Sequence, residues 1–329
     1  MNEIKIHLCG DIMIGRSFND TFASDPNFNI WGDVLDVFNK SDFVIGNLET
    51  TITDSNNKFP NKMFNFKLES QHKNILKKAN ISHVNLANNH IIDYNIEGMN
   101  DTITALNSMK ITHSGVRNYP NPIYKIIKNT KIGILSFTDH YDYWKQFIFY
   151  IDLDNSDSKK ELLEHIKKAK KECDILILSI HYGSNYVNTL SENAKRFFRK
   201  ILSAGVDIIH GHSAHHVLPI EHVVINGVNK YILYSMGDFI DDYAVDSYFR
   251  NDLAFIAEII IENNKITKLN AYPTKIHIMY KNNVVFPFVK LLDSMDDDYK
   301  FVMNKLFGKN GGNSGNSGNS GSKKYRLVS

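Results

Sequence analysis

The sequence predicts an α/β fold. Short apolar runs of strand length alternate along the chain with longer stretches of helical periodicity, and polar residues cluster directly after the apolar runs. Alternation of this kind is typical of layered proteins in which helices cover a sheet. The chain has 329 residues, of which 43% are hydrophobic and 22% charged, so it can bury a large core.

The predicted strands are apolar runs bounded by turn-forming or charged residues. They cover residues 4–9, 43–45, 83–86, 131–137, 175–180, 208–210, 231–234, 253–261 and 266–278. The last two are expected to form a β-hairpin, because the four residues between them are polar and favour a turn.

Five stretches have their apolar residues at helical spacing, and two of them carry start signals. They cover residues 69–79, 96–109, 158–171, 191–204 and 293–307. Ser158 with Glu161, and Thr189 with Glu192, have the spacing of a capping box. Gly205 stands where a C-cap glycine is expected.

The end of the chain has a different composition. Residues 311–322 read GGNSGNSGNSGS, a repeat that behaves as flexible coil and cannot bury a core. We therefore predict one domain over residues 1–307, an engineered linker over 308–322 and an appended peptide, KKYRLVS, over 323–329. The peptide is either a cloning remnant or a tethered ligand, since a flexible tether raises effective concentration to about millimolar.

Charge and cysteine content argue against several classes of protein. The net charge is +2 and the charges are interspersed, so no nucleic-acid partner is expected. Cys9 and Cys173 are isolated and predict no disulfide framework. The sequence has no apolar run of membrane-helix length and no signal-peptide pattern before the first strand, so we expect no membrane partner and a cytoplasmic location.

Polar side chains follow six of the predicted strands at the points where those strands end. They are Asp11, then Asn47 and Glu49, then Asn89, His90 and Asp93, then His181, then His212, His215 and His216, and finally Asp238. In open α/β sheets, ligands bind outside the carboxyl ends of the strands. One such residue would be an ordinary turn residue, but six strands with the same pattern predict a functional site.

The residue types at these strand ends are those of a metal site. Carboxylate, amide oxygen and imidazole together suit Zn, Mn or Fe, so we predict one or two divalent ions. Glu49 is expected to bridge two ions, because a carboxylate has two oxygens. The other ligands divide into Asp11 and His215 for one ion, and Asn89, His181 and His212 for the second.

Acid/base chemistry is assigned to His90, which follows a predicted ligand without being one. An unperturbed imidazole titrates near neutral pH, and Asp93 is expected to orient this one. A second acid or base is left open between His216, His140 and Asp238.

Six motifs resemble the CapA/PgsA family of capsule and poly-γ-glutamate synthesis proteins, a branch of the calcineurin-like metallophosphoesterases. They are GDIMIGR (10–16), GNLET (46–50), LANNHIIDYNIEGMNDTITAL (86–106), SIHYGSNY (179–186), AGVDIIHGHSAHHVLPIE (204–221) and YSMGDFI (234–240). The resemblance covers residues 3 to 245. It implies a four-layer metallophosphoesterase-like sandwich, with two packed sheets flanked by helices, for the domain over 1–307.

The sequence departs from that family at several positions around the expected pocket. The wider superfamily has His two residues after the first Asp, whereas this chain has Met13, so the ion at Asp11 is expected to be weakly held. Asn185 replaces a typical Glu, Ala214 a Pro, His216 an apolar residue and Asp238 an Asn. Substrate contacts are assigned to Asn47, Asn185 and Asp238.

Three functions fit these features. Some CapA-like proteins found beside lasso-peptide enzymes epimerise the C-terminal residue of a precursor peptide, and the KKYRLVS terminus favours that metal-dependent reaction here. The first alternative is a metal-dependent hydrolase of phosphoesters or of an amide such as poly-γ-glutamate, with His90 protonating the leaving group. The second alternative is a non-catalytic capsule assembly protein.

Overall fold

The computed structural model describes residues 3–308. The predicted linker beyond Gly308 and the peptide over 323–329 lie outside the described residues.

Among the described residues the strands are β1 Ile4–Ile12, β2 Phe43–Leu48, β3 Thr51–Ile52, β4 Lys67–Leu68, β5 His83–Asn85, β6 Thr112–Ser114, β7 Ile123–Ile127, β8 Thr130–Thr138, β9 Ile175–His181, β10 Ile208–His212, β11 Ile220–Ile225, β12 Val228–Leu233, β13 Asp238–Ile240, β14 Leu253–Glu262, β15 Lys265–Lys281 and β16 Val284–Leu291.

The helices lie between the strands and after the last one. They are α1 Ser17–Ser24, α2 Leu35–Phe38, α3 Ile75–Lys78, α4 Asn95–Ser108, α5 Ser156–Lys170, α6 Glu192–Ala204 and α7 Asp297–Phe307. Short 3₁₀ turns cover Gly32–Val34, Ser70–His72 and Asp142–Trp144.

Two large sheets form the centre of the fold. The first has the strand order β16-β15-β14-β1-β2-β5-β6, with β13 also paired to β1, and the second has the order β11-β12-β10-β9-β8-β7. Strands β1, β2, β5, β6 and β13 are parallel, as are β8, β9, β10 and β12. Parallel strands end at the same edge, so each sheet collects its strand-end residues along one side.

Apolar side chains divide the molecule into four layers. One buried cluster joins the facing sides of the two sheets and includes Leu8 of β1 and Ile208 of β10. A second cluster packs α1–α4 against the outside of the first sheet, and a third packs α5 and α6 against the second sheet. The predicted sandwich of two packed sheets flanked by helices is confirmed.

The predicted hairpin is present as β14 and β15, which pair antiparallel. Its turn residues Asn263 and Asn264 both have positive φ, at 50° and 60°. Two successive positive φ angles are the geometry of the type I′ turn, which matches the twist of a hairpin and is favoured by asparagine.

Three local predictions about helices were wrong. Residues 69–79 form a 3₁₀ turn and the one-turn helix α3 rather than one helix, because only Ile75, Leu76 and Ala79 of that stretch are buried. Helix α5 is capped by Asn155, whose side chain accepts from the backbone of the first turn, and not by Ser158. Helix α6 is capped by Ser191 instead of Thr189.

Candidate metal centre

The strand-end residues of both sheets meet at one place. Asp11 lies opposite Asn47 in the pairing of β1 with β2, and His181 lies opposite His212 in the pairing of β9 with β10. The two sheets are tied together beneath them, since His210 Nε2 lies 2.9 Å from the carbonyl oxygen of Cys9. The predicted edge therefore brings together residues as distant in the sequence as Asp11 and His212.

Two overlapping groups of side chains are spaced to bind cations. In the first, Asp11, Glu49 and His181 each offer a ligand atom within 4.8 Å of the others. In the second, Asp11, His215 and Asp238 do the same. Asp11 belongs to both groups, whereas Glu49, which the sequence predicted as the bridge, belongs to the first.

The donor atoms of these groups fit a divalent cation. The buried side-chain atoms without a hydrogen-bond partner among residues 3–308 include four of ligand type on the strand-end residues, namely Glu49 Oε1, Asn89 Oδ1, His181 Nε2 and Asp238 Oδ2. Buried polar atoms in proteins are usually paired. Glu49 Oε1 and His181 Nε2 lie 3.9 Å apart and neither has a hydrogen-bond partner, which is the arrangement expected of two ligands of one cation. Carboxylate, amide and imidazole donors are those expected for Mn, Zn or Fe.

Burial and mutual repulsion perturb the acids of the cluster. Burial alone would raise the pKa of Asp11, but the hydrogen bond and charge of His212 hold it well below its usual range. Burial, followed by the charge of Asp11, raises the pKa of Glu49 and the pKa of Asp238 well above the usual range. A bound divalent cation would displace the protons that these carboxyl groups otherwise retain.

Two buried side chains, His212 and Asn47, contact Asp11 and fix its position. His212 Nδ1 lies 3.1 Å from Asp11 Oδ1, and its Nε2 lies 3.1 Å from the hydroxyl of Ser179. Asn47 is fully buried and donates to Asp11 Oδ1 at 2.8 Å, while its own carbonyl oxygen accepts from Asn85 and Asn88. Asn47 therefore suits bracing of Asp11 better than the substrate contact predicted for it.

His90 and Asp93 form a hydrogen-bonded pair beside Glu49. His90 Nδ1 lies 2.7 Å from Asp93 Oδ2, and His90 Nε2 lies 3.9 Å from Glu49 Oε1. Burial lowers the pKa of His90 to about 4, although the charge of Asp93 opposes the shift. The imidazole is therefore neutral near pH 7, with Nε2 directed at the cluster.

Sequence reasoning missed Lys62, which lies in the segment between β3 and β4. Its ammonium group contacts the carbonyl oxygen of Asn89 and the carboxylate of Asp93, and lies 3.1 Å from His90 Nδ1. Its side chain is 9% exposed, and burial lowers its pKa while Asp93 opposes the shift. No motif marks Lys62 in the sequence, because its partners are 27 to 31 residues away.

A second histidine–carboxylate pair lies on the other sheet. His140, which follows β8, has its Nδ1 2.6 Å from Asp139 Oδ1. Its ring centre is 5.6 Å from that of His181, and its side chain is 23% exposed. Of the three residues left open as second acid or base, His140 is therefore next to the cluster and also reachable from solvent.

The remaining predicted residues have different surroundings. His216 is buried with Nε2 2.8 Å from the carbonyl of Val187 and Nδ1 3.2 Å from that of Val217, so both ring nitrogens face the backbone. Asn185 is exposed in the loop between β9 and α6. Asp238 Oδ1 lies 2.7 Å from His215 Nδ1, inside the second cation group.

Fold and site together define a metallophosphoesterase-like protein. Residues 5–243 match the family described as bacterial capsule synthesis protein PGA_cap, and the chain belongs to that family. This finding confirms the resemblance drawn from the strand-end motifs.

No helix in the part of the chain that the structure describes is long and apolar enough to cross a membrane.

Three relatives are named for capsule, PGA or polyglutamine synthesis. The PGA biosynthesis protein CapA of Bacillus subtilis is 29% identical over 82% of this chain and 70% of its own length. The capsule biosynthesis protein CapA of Bacillus anthracis is 26% identical over 83% of this chain and 68% of its own. A probable polyglutamine synthesis accessory protein of Mycobacterium tuberculosis is 29% identical over 65% of this chain and 60% of its own.

Proposed function

We propose that this chain is a metal-dependent peptide epimerase that inverts the C-terminal residue of a ribosomal, lasso-type precursor peptide. The observation that supports it is the presence of two histidine–carboxylate pairs at the edge of one ligand cluster. His90 is paired with Asp93 on the first sheet, and His140 with Asp139 on the second. Inversion at a carbon requires one group to remove a proton and another to return one on the opposite face.

The geometry of each pair gives its histidine a definite role. Asp93 accepts from His90 Nδ1, which leaves the lone pair of Nε2 free to take the Cα proton. His140, whose Nδ1 lies 2.6 Å from Asp139 Oδ1 without the geometry of a hydrogen bond, would deliver a proton to the other face of the same carbon. The α-hydrogen leaves as a proton and its electron pair stays on the peptide until the new C–H bond forms. Proton exchange with water then returns both histidines to the protonation states in which they started.

Divalent cations at this site would attract a substrate that carries a carboxylate. Divalent ions bound there would hold the C-terminal carboxylate and stabilise the negative charge that develops on it. The substrate we propose is a peptide ending in KKYRLVS, as in residues 323–329 of this chain. Its free carboxylate is the group that two cations attract more strongly than any side chain in the peptide.

A metal-dependent hydrolase of a phosphoester or amide is the alternative function. It is favoured by membership of a metallophosphoesterase-like family and by His90, which could equally protonate a leaving group. That reaction gives no role to His140 and Asp139. A non-catalytic part in capsule synthesis, which the relatives' names would allow, gives no role to the unpaired ligand atoms.

Product analysis separates these functions. The protein, loaded with Mn²⁺ or Zn²⁺, is incubated with a free peptide ending in KKYRLVS, and with p-nitrophenyl phosphate in a parallel reaction. We expect an isomer of unchanged mass that separates on chiral analysis, and no such product from the C-terminally amidated peptide. A shortened peptide, or cleavage of the phosphate ester with an untouched peptide, would establish the hydrolase instead.

A further inference from the structure

Asp238 lies where an additional metal ligand would be needed. Strand β13 pairs parallel with β1, and the register places Asp238 opposite Asp11. The backbone N–H of Asp11 donates to the carbonyl of Gly237 at 3.1 Å, so the two strands are tightly joined at this point. His215 completes the group, with ligand atoms of all three residues within 4.8 Å of one another.

Only one of the two carboxylate oxygens of Asp238 lies against a nitrogen donor. The carboxylate is fully buried, its Oδ1 lies 2.7 Å from His215 Nδ1, and its Oδ2 accepts from no N–H or hydroxyl donor of the described residues. Asp241 is buried beside it, and a hydrogen bond joins the two carboxyl groups, which requires a proton between them when no cation is bound. Within residues 3–308, no lysine or arginine forms an ion pair with Asp11, Asp238 or Asp241. Burying several carboxylates without a cation is strongly unfavourable.

Met13 explains why an extra oxygen ligand is useful here. It stands two residues after Asp11, is 2% exposed, and its Sδ accepts a hydrogen bond from the Tyr243 hydroxyl at 2.8 Å. A thioether is a poor ligand for Mn²⁺ or Zn²⁺, so this side chain does not contribute a bond to the ion at Asp11. The carboxylate of Asp238 approaches the same aspartate from β13.

We propose that Asp238 is a metal ligand which, with Asp11 and His215, binds a divalent cation next to the one held by Asp11, Glu49 and His181. Two carboxylates and one imidazole favour Mn²⁺ among the divalent ions considered. The inference deepens the proposed function, because it rests on the same metal centre, but it does not depend on which reaction occurs there. It also reassigns Asp238 from substrate binding to metal binding.

Calorimetric titration of Mn²⁺ into the metal-free, full-length protein tests this assignment without any substrate. The wild type should bind two ions, and Asp238→Asn should bind one, or bind the second about tenfold or more weakly. Asparagine matches aspartate in shape, and a circular dichroism spectrum of the metal-free variant confirms that it folds. Asp242→Asn is the matched control, because Asp242 lies on the same segment but is paired with Arg16.

A His215→Ala background distinguishes a ligand from a residue that only orients His215. If Asp238 is itself a ligand, Asp238→Asn weakens Mn²⁺ binding further in that background. If the second substitution has no effect there, or if Asp238→Asn alone titrates like the wild type, the assignment is overturned while the metal centre stands. If the wild type binds no ion, both this inference and the metal-dependent function fail.

Discussion

His90 Nδ1 lies 2.7 Å from Asp93 Oδ2, and the same carboxylate oxygen accepts from the backbone N–H of Phe66 at 2.6 Å. The other oxygen of Asp93 contacts Lys62. Because Asp93 is fully buried and held from three directions, it fixes both the tautomer and the orientation of the His90 ring. The free nitrogen of His90 is thereby directed at Glu49 and the cation groups.

Removing the His90 imidazole should slow turnover strongly without removing metal. We expect His90→Ala to lower kcat by about two to four orders of magnitude, the usual contribution of a positioned acid or base. Asp93→Asn should cost less, because it changes the orientation of the ring rather than the ring itself. Elemental analysis alongside the rate measurement is the control. A His90→Ala protein that binds no metal would make His90 a ligand.

Lys62 should act on the reaction through His90 and Asp93. Lys62→Met keeps most of the side-chain volume and is expected to lower turnover about tenfold to hundredfold. The positive charge of Lys62 lowers the pKa of His90, so its removal should raise that pKa. Since His90 acts as a base, the acidic limb of the pH–rate profile should then move to higher pH.

Lys67→Met is the matched control for Lys62, since the ammonium group of Lys67 donates to Ser55 and Asn56 and to neither His90 nor Asp93. It should leave the pH–rate profile unchanged. A Lys62→Met enzyme that is slower but keeps the wild-type profile would make the role of Lys62 purely structural.

Stability should fall as the pH drops below about 6.5, in part because of His83. Burial lowers the pKa of His83 to about 3, and its ring nitrogens face the hydroxyls of Thr112 and Ser114. Between pH 6.5 and 3 the unfolded chain binds this proton and the folded chain does not. The free energy of unfolding therefore decreases with falling pH, by up to about 1.4 kcal/mol per pH unit for this one group.

Urea unfolding at several pH values measures that slope. His83→Gln should flatten it over the same interval, whereas substitution of His222, which lies on β11 and pairs with Asn229, should not. An unchanged slope in His83→Gln would show that His83 is protonated in the folded protein.

Gly10 should be required for the second cation group. A Cβ at this position would lie 1.9 Å from the carbonyl oxygen of Gly237, so Gly10→Ala must push β13 away from β1. We expect a loss of about 1–3 kcal/mol of stability, as in overpacked cores, together with loss of the ion at Asp238. Thermal unfolding and metal analysis are the measurements.

Gly227→Ala provides the comparison for Gly10. Gly227 has a positive φ of 74° but nothing within 4 Å of its added Cβ, so alanine should destabilise by about 1 kcal/mol through backbone strain alone. Both ions should remain bound. If Gly10→Ala also keeps both ions, the join between β1 and β13 does not position Asp238.

The location of the site was predictable because of how parallel sheets are built. Asp11, Glu49 and His181 each follow an apolar run, and the carboxyl ends of parallel strands share an edge. The layered fold followed from the same alternation together with the family's motifs. Those motifs are local runs of sequence, so they were recognisable without coordinates.

Residues brought in by loops were not predictable in the same way. Lys62 carries no periodic signal, and its contact with Asp93 depends on how separate segments pack. Asp139 and His140 are adjacent in the sequence, but the position of His140 beside His181 also depends on packing. The surroundings of His216 were equally hidden, since its contacts with Val187 and Val217 depend on the path of the backbone. The helix predicted over 69–79 failed because spacing alone does not reveal which face is buried.

Exchange in D₂O is the most direct test of whether this chain removes and returns the α-proton of a peptide's C-terminal residue. A free peptide ending in KKYRLVS is incubated with the metal-loaded protein, hydrolysed, and its terminal serine is examined for deuterium and for configuration. We expect one deuterium at Cα and a growing D-serine fraction, with His90→Ala and His140→Ala each suppressing inversion. An enzyme that binds metal and peptide, yet leaves the serine unlabelled and entirely L, would contradict it.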